Sequence, residues 1–79
     1  MKAVVETPYY DWDGRKYIEF KFENKVRRVK VPYRYGRVMC RIDGLKTIQE
    51  LQKGDEVDIE LQKKVWDGVE HWVIFSLRT

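Results

Sequence analysis

The sequence predicts a mostly β fold: a small five- or six-stranded antiparallel barrel with one short helix near residues 45–52. Three observations carry that expectation. Apolar residues recur at every second position over most of the chain, the period of a half-buried strand. Asp-Gly pairs at 13–14 and 67–68 fall between alternating runs, where a tight hairpin turn needs positive φ. One stretch alone, Leu45 to Gln52, changes its period to three, and it lies between Gly44 and Gly54.

The elements follow in order. Lys2 to Tyr10 is extended in character, with Pro8 suited to an edge or a bulge. Asp13-Gly14 then turns the chain into a second strand, where Ile18, Phe20 and Phe22 alternate with Tyr17, Glu19, Lys21 and Glu23. Glu23-Asn24-Lys25 is the next turn. A third extended region follows, with Arg27, Val29 and Val31 on one side and Arg28 and Lys30 on the other. Pro32 interrupts it, Gly36 marks a bulge or bend, and Val38, Cys40 and Ile42 resume an inward face. Region 25–42 therefore reads as one long bent strand or two short ones.

In the helical stretch Leu45, Ile48 and Leu51 are three apart, Thr47 and Glu50 form a capping-box pattern, and Gly54 stands where a helix would stop. Val57, Ile59 and Leu61 form the next alternating strand. After Asp67-Gly68, Val69, His71, Val73, Phe75 and Leu77 share the expected inward face of the last one.

Composition bounds the class. Seventy-nine residues make a single small domain, 1–79, with a core that is feasible but small. No apolar run is long enough to span a membrane, and Met1 to Glu6 lacks the apolar stretch of a secretory signal. A cytoplasmic location is expected, nucleoid association included. The lone Cys40 suits a reducing compartment and removes the usual zinc arrangements, so neither metal nor other cofactor is expected. Charged residues are 37% of the chain and Asn occurs once, a composition that leans toward a thermophilic source.

The net charge of +3 hides a strong segregation. Residues 25–42 hold seven cations (Lys25, Arg27, Arg28, Lys30, Arg34, Arg37 and Arg41) and no acid, whereas residues 43–79 hold five cations against eight acids. A polyanion would be drawn to the middle of the chain. Tyr33 and Tyr35 alternate there with Arg34 and Arg37, and Trp12 and Trp66 each precede an Asp-Gly turn.

The order strand, strand, extended region, short helix, strand, strand resembles the OB-fold plan, a barrel closed from five short strands. An SH3-like or Sm-like barrel would give a similar alternation. The resemblance implies a ligand face on strands two and three, flanked by the loops Tyr9 to Lys16 and Lys63 to Glu70. Flat aromatics among cations suit single-stranded nucleic acid, which offers exposed base faces and a phosphate chain. The expected contact residues are Trp12, Tyr17, Arg27, Arg28, Lys30, Tyr33, Arg34, Tyr35, Arg37, Arg41 and Trp66.

Against this stand plainer readings. The cations would also suit a solvated face, Tyr33 and Tyr35 share a strand parity with core valines, and the tryptophans would also cover a barrel mouth. His71 and Cys40 read as packed core residues. No nucleophile with a base and an orienting group can be assembled, so binding is expected rather than catalysis. The competing functions are a protein-interaction module or small subunit of a complex, with self-association or partner pairing through an edge strand, and a small chromatin-type protein of double-stranded DNA.

Overall fold

The computed structural model describes residues 1–79 and contains eight strands and one 3-10 turn. They are β1 (Lys2–Trp12), β2 (Arg15–Phe22), β3 (Lys25–Lys30), β4 (Tyr33–Arg34), β5 (Arg37–Val38), β6 (Arg41–Asp43), the turn η1 (Ile48–Glu50), β7 (Glu56–Trp66) and β8 (Val69–Arg78). Four two-residue turns sharpen the corners: Asp13-Gly14, Glu23-Asn24, Tyr35-Gly36 and Asp67-Gly68. All eight residues have positive φ, the backbone of type I′ hairpins, whose twist matches that of the strands they join.

Five strands close a barrel. β2 pairs antiparallel with β1 and β3, β1 with β7, and β7 with β8. β8 then returns to β3, with Lys30 opposite Val73. This closing pair is parallel, so the barrel is mixed where an antiparallel one was expected. Only a tight hairpin imposes the antiparallel direction, and a long crossover separates β3 from β8.

Past Val73 the same edge of β8 is taken over, again in parallel, by β6, with Arg41 opposite Ser76 and Asp43 opposite Arg78. Region 25–42 is thus one barrel edge interrupted by an excursion. The excursion is the ribbon β4–β5, with Tyr33 opposite Val38 and Arg34 opposite Arg37, and it belongs to no other sheet. The result is a closed five-stranded barrel with a ribbon set in after its third strand.

Two irregularities aim the side chains. β1 breaks register between Val5 and Thr7 and again between Thr7 and Tyr10, so Pro8 sits in a bulge, where its missing N–H costs no ladder bond. In β8, Leu61 faces Ile74 and Glu60 faces Ser76, leaving Phe75 as the extra residue. That bulge reverses the parity of the strand. Ile74 and Leu77 both enter the core, while Val69 and Phe75 are exposed and Val73 lies outside the core cluster. The shared inward face expected for Val69, His71, Val73, Phe75 and Leu77 therefore holds for Leu77 and fails for Val69, His71 and Phe75, while Val73 is buried but apart from that cluster.

The expected helix is also replaced. Only Ile48–Glu50 turn, in 3-10 geometry, and Thr47 makes no side-chain capping bond. The stretch between Gly44 and Gly54 is too short to offset the cost of helix nucleation. Leu45 is 98% exposed, so only Ile48 and Leu51 need burial, and one 3-10 turn aligns residues three apart. Gly54 ends no helix. Its N–H donates instead to the Val5 carbonyl at 2.8 Å, fixing the turn region against β1.

The core is wholly apolar. Ala3, Val5, Ile18, Phe20, Phe22, Val29, Val31, Cys40, Ile48, Leu51, Val57, Ile59, Ile74 and Leu77 form one cluster, and no buried polar side chain lacks a partner. The β8 bulge makes a sharp prediction. Ile74→Ala should cost about 2–5 kcal/mol in urea denaturation, whereas Phe75→Ala should cost about 1 kcal/mol or less. The reverse order would mean that β8 runs without the bulge.

Candidate functional site

Each Trp-Asp-Gly hairpin holds its Trp at the last paired position before the turn, Trp12 opposite Arg15 and Trp66 opposite Val69. β3 runs between the two hairpins because β2 pairs with one of its edges and β8 with the other. Val29 and Val31 point inward, so Arg28 and Lys30 point outward, as their alternation predicts.

These two cations lean to opposite sides. The Arg28 guanidinium carbon lies 5.2 Å from the Trp12 ring centroid and 4.8 Å from that of Tyr17. Lys30 Nζ lies 4.4 Å from the Trp66 ring. His71 stacks on Trp66 at 3.7 Å with the rings within 6° of parallel. A ladder of alternating rings and cations thus crosses the outer wall of the barrel. Contacts of this kind are worth roughly 0.5–1 kcal/mol each at exposed sites, enough to hold side chains in place.

The ladder's members differ in how open they are. Trp12 is 57% exposed, a free platform. Tyr17 is only 6% exposed, covered by Tyr10 and Trp12 at centroid distances of 5.8 and 6.2 Å, so it supports the surface from beneath. Tyr10 donates its hydroxyl to Glu19 Oε2 at 2.9 Å. Burial first, and that bond second, hold the phenol above its ordinary range. Trp66 already carries His71 on its ring. His71 was expected to be a core residue; the parity shift in β8 puts it on the outer wall instead.

The remaining expected residues divide. The ribbon displays Tyr33, Arg34, Tyr35 and Arg37, and neither tyrosine is in the core. Lys16 Nζ lies 5.2 Å from the Tyr33 ring and is ion-paired with Asp11, which raises the Lys16 pKa. Arg27 does not join the ladder. It lies over Phe22 and Trp72, at 4.6 and 5.8 Å, and pairs with Glu23 at 3.4 Å, because its strand parity is that of Val29. Arg41 is also apart, in a depression with Asp43, Asp58 and Glu60, because β6 pairs with the far end of β8.

Between the ribbon and the wall of β7 and β8 runs a groove of about 530 Å³. Pro32, Tyr33, Met39, Trp66, Val73, Ile74 and Phe75 supply its apolar lining, and Lys30, Arg34, Gln62 and Lys64 its polar one. No carboxylate lines it. Met39, Phe75 and Lys64 were not legible as site residues, although Lys64 shares strand parity with Trp66 and could have been found from that.

Charge is distributed unevenly in a second sense. Lys16, Arg27, Lys46, Lys53, Lys63 and Arg78 each have a carboxylate within 4.0 Å. The other ten lysines and arginines have none, and five of these, Arg28, Lys30, Arg34, Arg37 and Lys64, gather on the ladder, the ribbon or the groove between them; Lys2, Arg15, Lys21, Lys25 and Arg41 are the rest. No cluster of three or more His, Cys, Asp or Glu side chains is arranged to hold a metal ion. Comparison with protein-family models, with curated proteins and with solved structures gives no match to the chain.

Cys40 is buried, and burial pushes its thiol up to about 11. The thiolate is the reactive form, so the folded protein should react only slowly with a thiol reagent at pH 8. Denaturant should release one equivalent at the rate of a free cysteine. Fast native labelling would mean that the segment between β5 and β6 opens readily.

Proposed function

We propose that this chain binds single-stranded nucleic acid with little sequence preference. Bases would stack on Trp12 with phosphates on Arg28 and Lys30, and the further unpaired cations Arg34, Arg37 and Lys64 would add to the positive field that draws the strand. The observation that carries the reading is the row of cations without carboxylate partners, Arg28, Lys30, Arg34, Arg37 and Lys64, interleaved with exposed flat rings across the ladder, the ribbon and the groove between them. The carboxylates that do border it are engaged, Glu19 by Tyr10 and Glu70 by Lys63 at 3.4 Å.

Single strand is favoured over duplex on chemical grounds. An exposed ring gains by stacking only on a base whose face is free, and a duplex hides its base faces. Stacking and phosphate contact carry little sequence information, because every base has a π-face and every nucleotide a phosphate.

The test is a titration of tryptophan fluorescence with a poly-pyrimidine single strand and a matched duplex, at low and moderate salt. If about five phosphates are neutralised on a single strand, log K should fall with log salt at a slope near −3.5. Arg28→Glu should weaken every sequence about equally. Tighter duplex binding would favour a chromatin-type protein. Binding to neither at low salt would overturn the proposal and leave a protein-interaction module.

A further inference from the structure

The ribbon and its groove are more than the ladder requires. No backbone hydrogen bond ties β4 or β5 to the barrel, so the ribbon stands as a separate arm on its own turn. At its tip Tyr35 has φ 52°, where Gly or Asn is the ordinary occupant, and it is 99% exposed. Nothing in the fold needs a large ring there. Beneath the arm, Tyr33 is 43% exposed and Met39 56%, apolar surface that the barrel leaves open.

The groove's charge selects its occupant. Lys30, Arg34 and Lys64 line it without an acid, so an anion is favoured over a cationic or neutral peptide. Its volume of about 530 Å³ falls within the roughly 300–1,000 Å³ of small-ligand sites. Lys30 and Trp66 belong both to the groove and to the ladder, so the two are continuous.

We infer that this groove seats one nucleotide of a bound single strand, its base against Tyr33 and Met39 and its phosphate on Arg34 and Lys64, while Tyr35 stacks on a neighbouring base. The ribbon then extends the site beyond the ladder and sets its length. This deepens the nucleic-acid reading and depends on it.

The test uses fluorescence anisotropy with labelled oligothymidylates of graded length, roughly 4 to 12 nucleotides. Three variants are compared with the wild type: Tyr35→Asn, Met39→Ala and, on the ladder, Arg28→Glu. Tyr35→Asn suits the left-handed backbone and should melt no lower than the wild type, which separates binding from folding. Wild-type affinity should keep rising with length. Tyr35→Asn and Met39→Ala, neither of which changes the charge, should match it on the shortest strand and fall behind about tenfold on the longest. Arg28→Glu should lose affinity at every length.

If both ribbon variants track the wild type at all lengths, the groove is not a nucleotide seat, although the nucleic-acid reading stands. If they lose the shortest strand as well, the ribbon belongs to the primary site and the extension is overturned. If the wild type binds no strand at any length, both readings fall together.

Discussion

The parallel pairing of β3 with β8 is the constraint on which the rest depends. One backbone register, Lys30 opposite Val73, closes the barrel and so encloses the apolar cluster. The same register brings the β7–β8 hairpin alongside β3. Without it Lys30 would have no Trp66 to lie against, and Arg28 and His71 would not share a wall. Closure also sets the length of β3. Because β6 takes over the edge of β8 past Val73, the intervening chain is released from the sheet and is free to form a ribbon.

Side-chain direction then rests on two bulges. Strand parity is a strict period of two, so one extra residue carries every later side chain to the opposite face. In β8 the extra residue is Phe75. It lets Leu77 fill the core while His71 and Val73, which share its parity in the sequence, lie outside the core cluster. The aromatic ladder is a product of that shift. An unbroken β8 would have driven the imidazole inward among aliphatic side chains, with no polar partner, and left Trp66 without its stacking neighbour.

The sequence was legible where local chemistry decides the outcome. Asp-Gly turns, the alternation of Ile18, Phe20 and Phe22, and the outward aim of Arg28 and Lys30 all follow from period and turn preference. It was illegible where a residue's place depends on a distant strand. A bulge has no signature in β8 itself, since Phe75 is apolar like its neighbours and only pairing with β7 exposes it as the extra residue. The turn at Tyr35-Gly36 was masked by an unlikely occupant, because an aromatic at positive φ is a poor turn signal. The helix expectation failed for the opposite reason: a good local pattern was overruled by length and by the absence of anything for Leu45 to pack against.

Stability alone does not account for the surface that results. Elsewhere on the molecule six cations meet carboxylates, as Lys46 meets Asp55 and Arg78 meets Asp43. Such pairs contribute little individually, but they remove like-charge repulsion. On the ladder and ribbon the reverse holds. Arg28 and Lys30 alternate on one strand, Arg34 and Arg37 face each other across a two-residue turn, and none of the four has a carboxylate within 4.0 Å, the neighbouring Glu19 and Glu70 being bonded to Tyr10 and Lys63. Charges this close lie within a Debye length of roughly 8–10 Å and oppose folding. The exposed rings add no core, and the left-handed tyrosine adds strain. Three costs of different physical origin fall on one continuous surface, and a polyanion with free base faces is a ligand class that would relieve the repulsion and cover the rings at once.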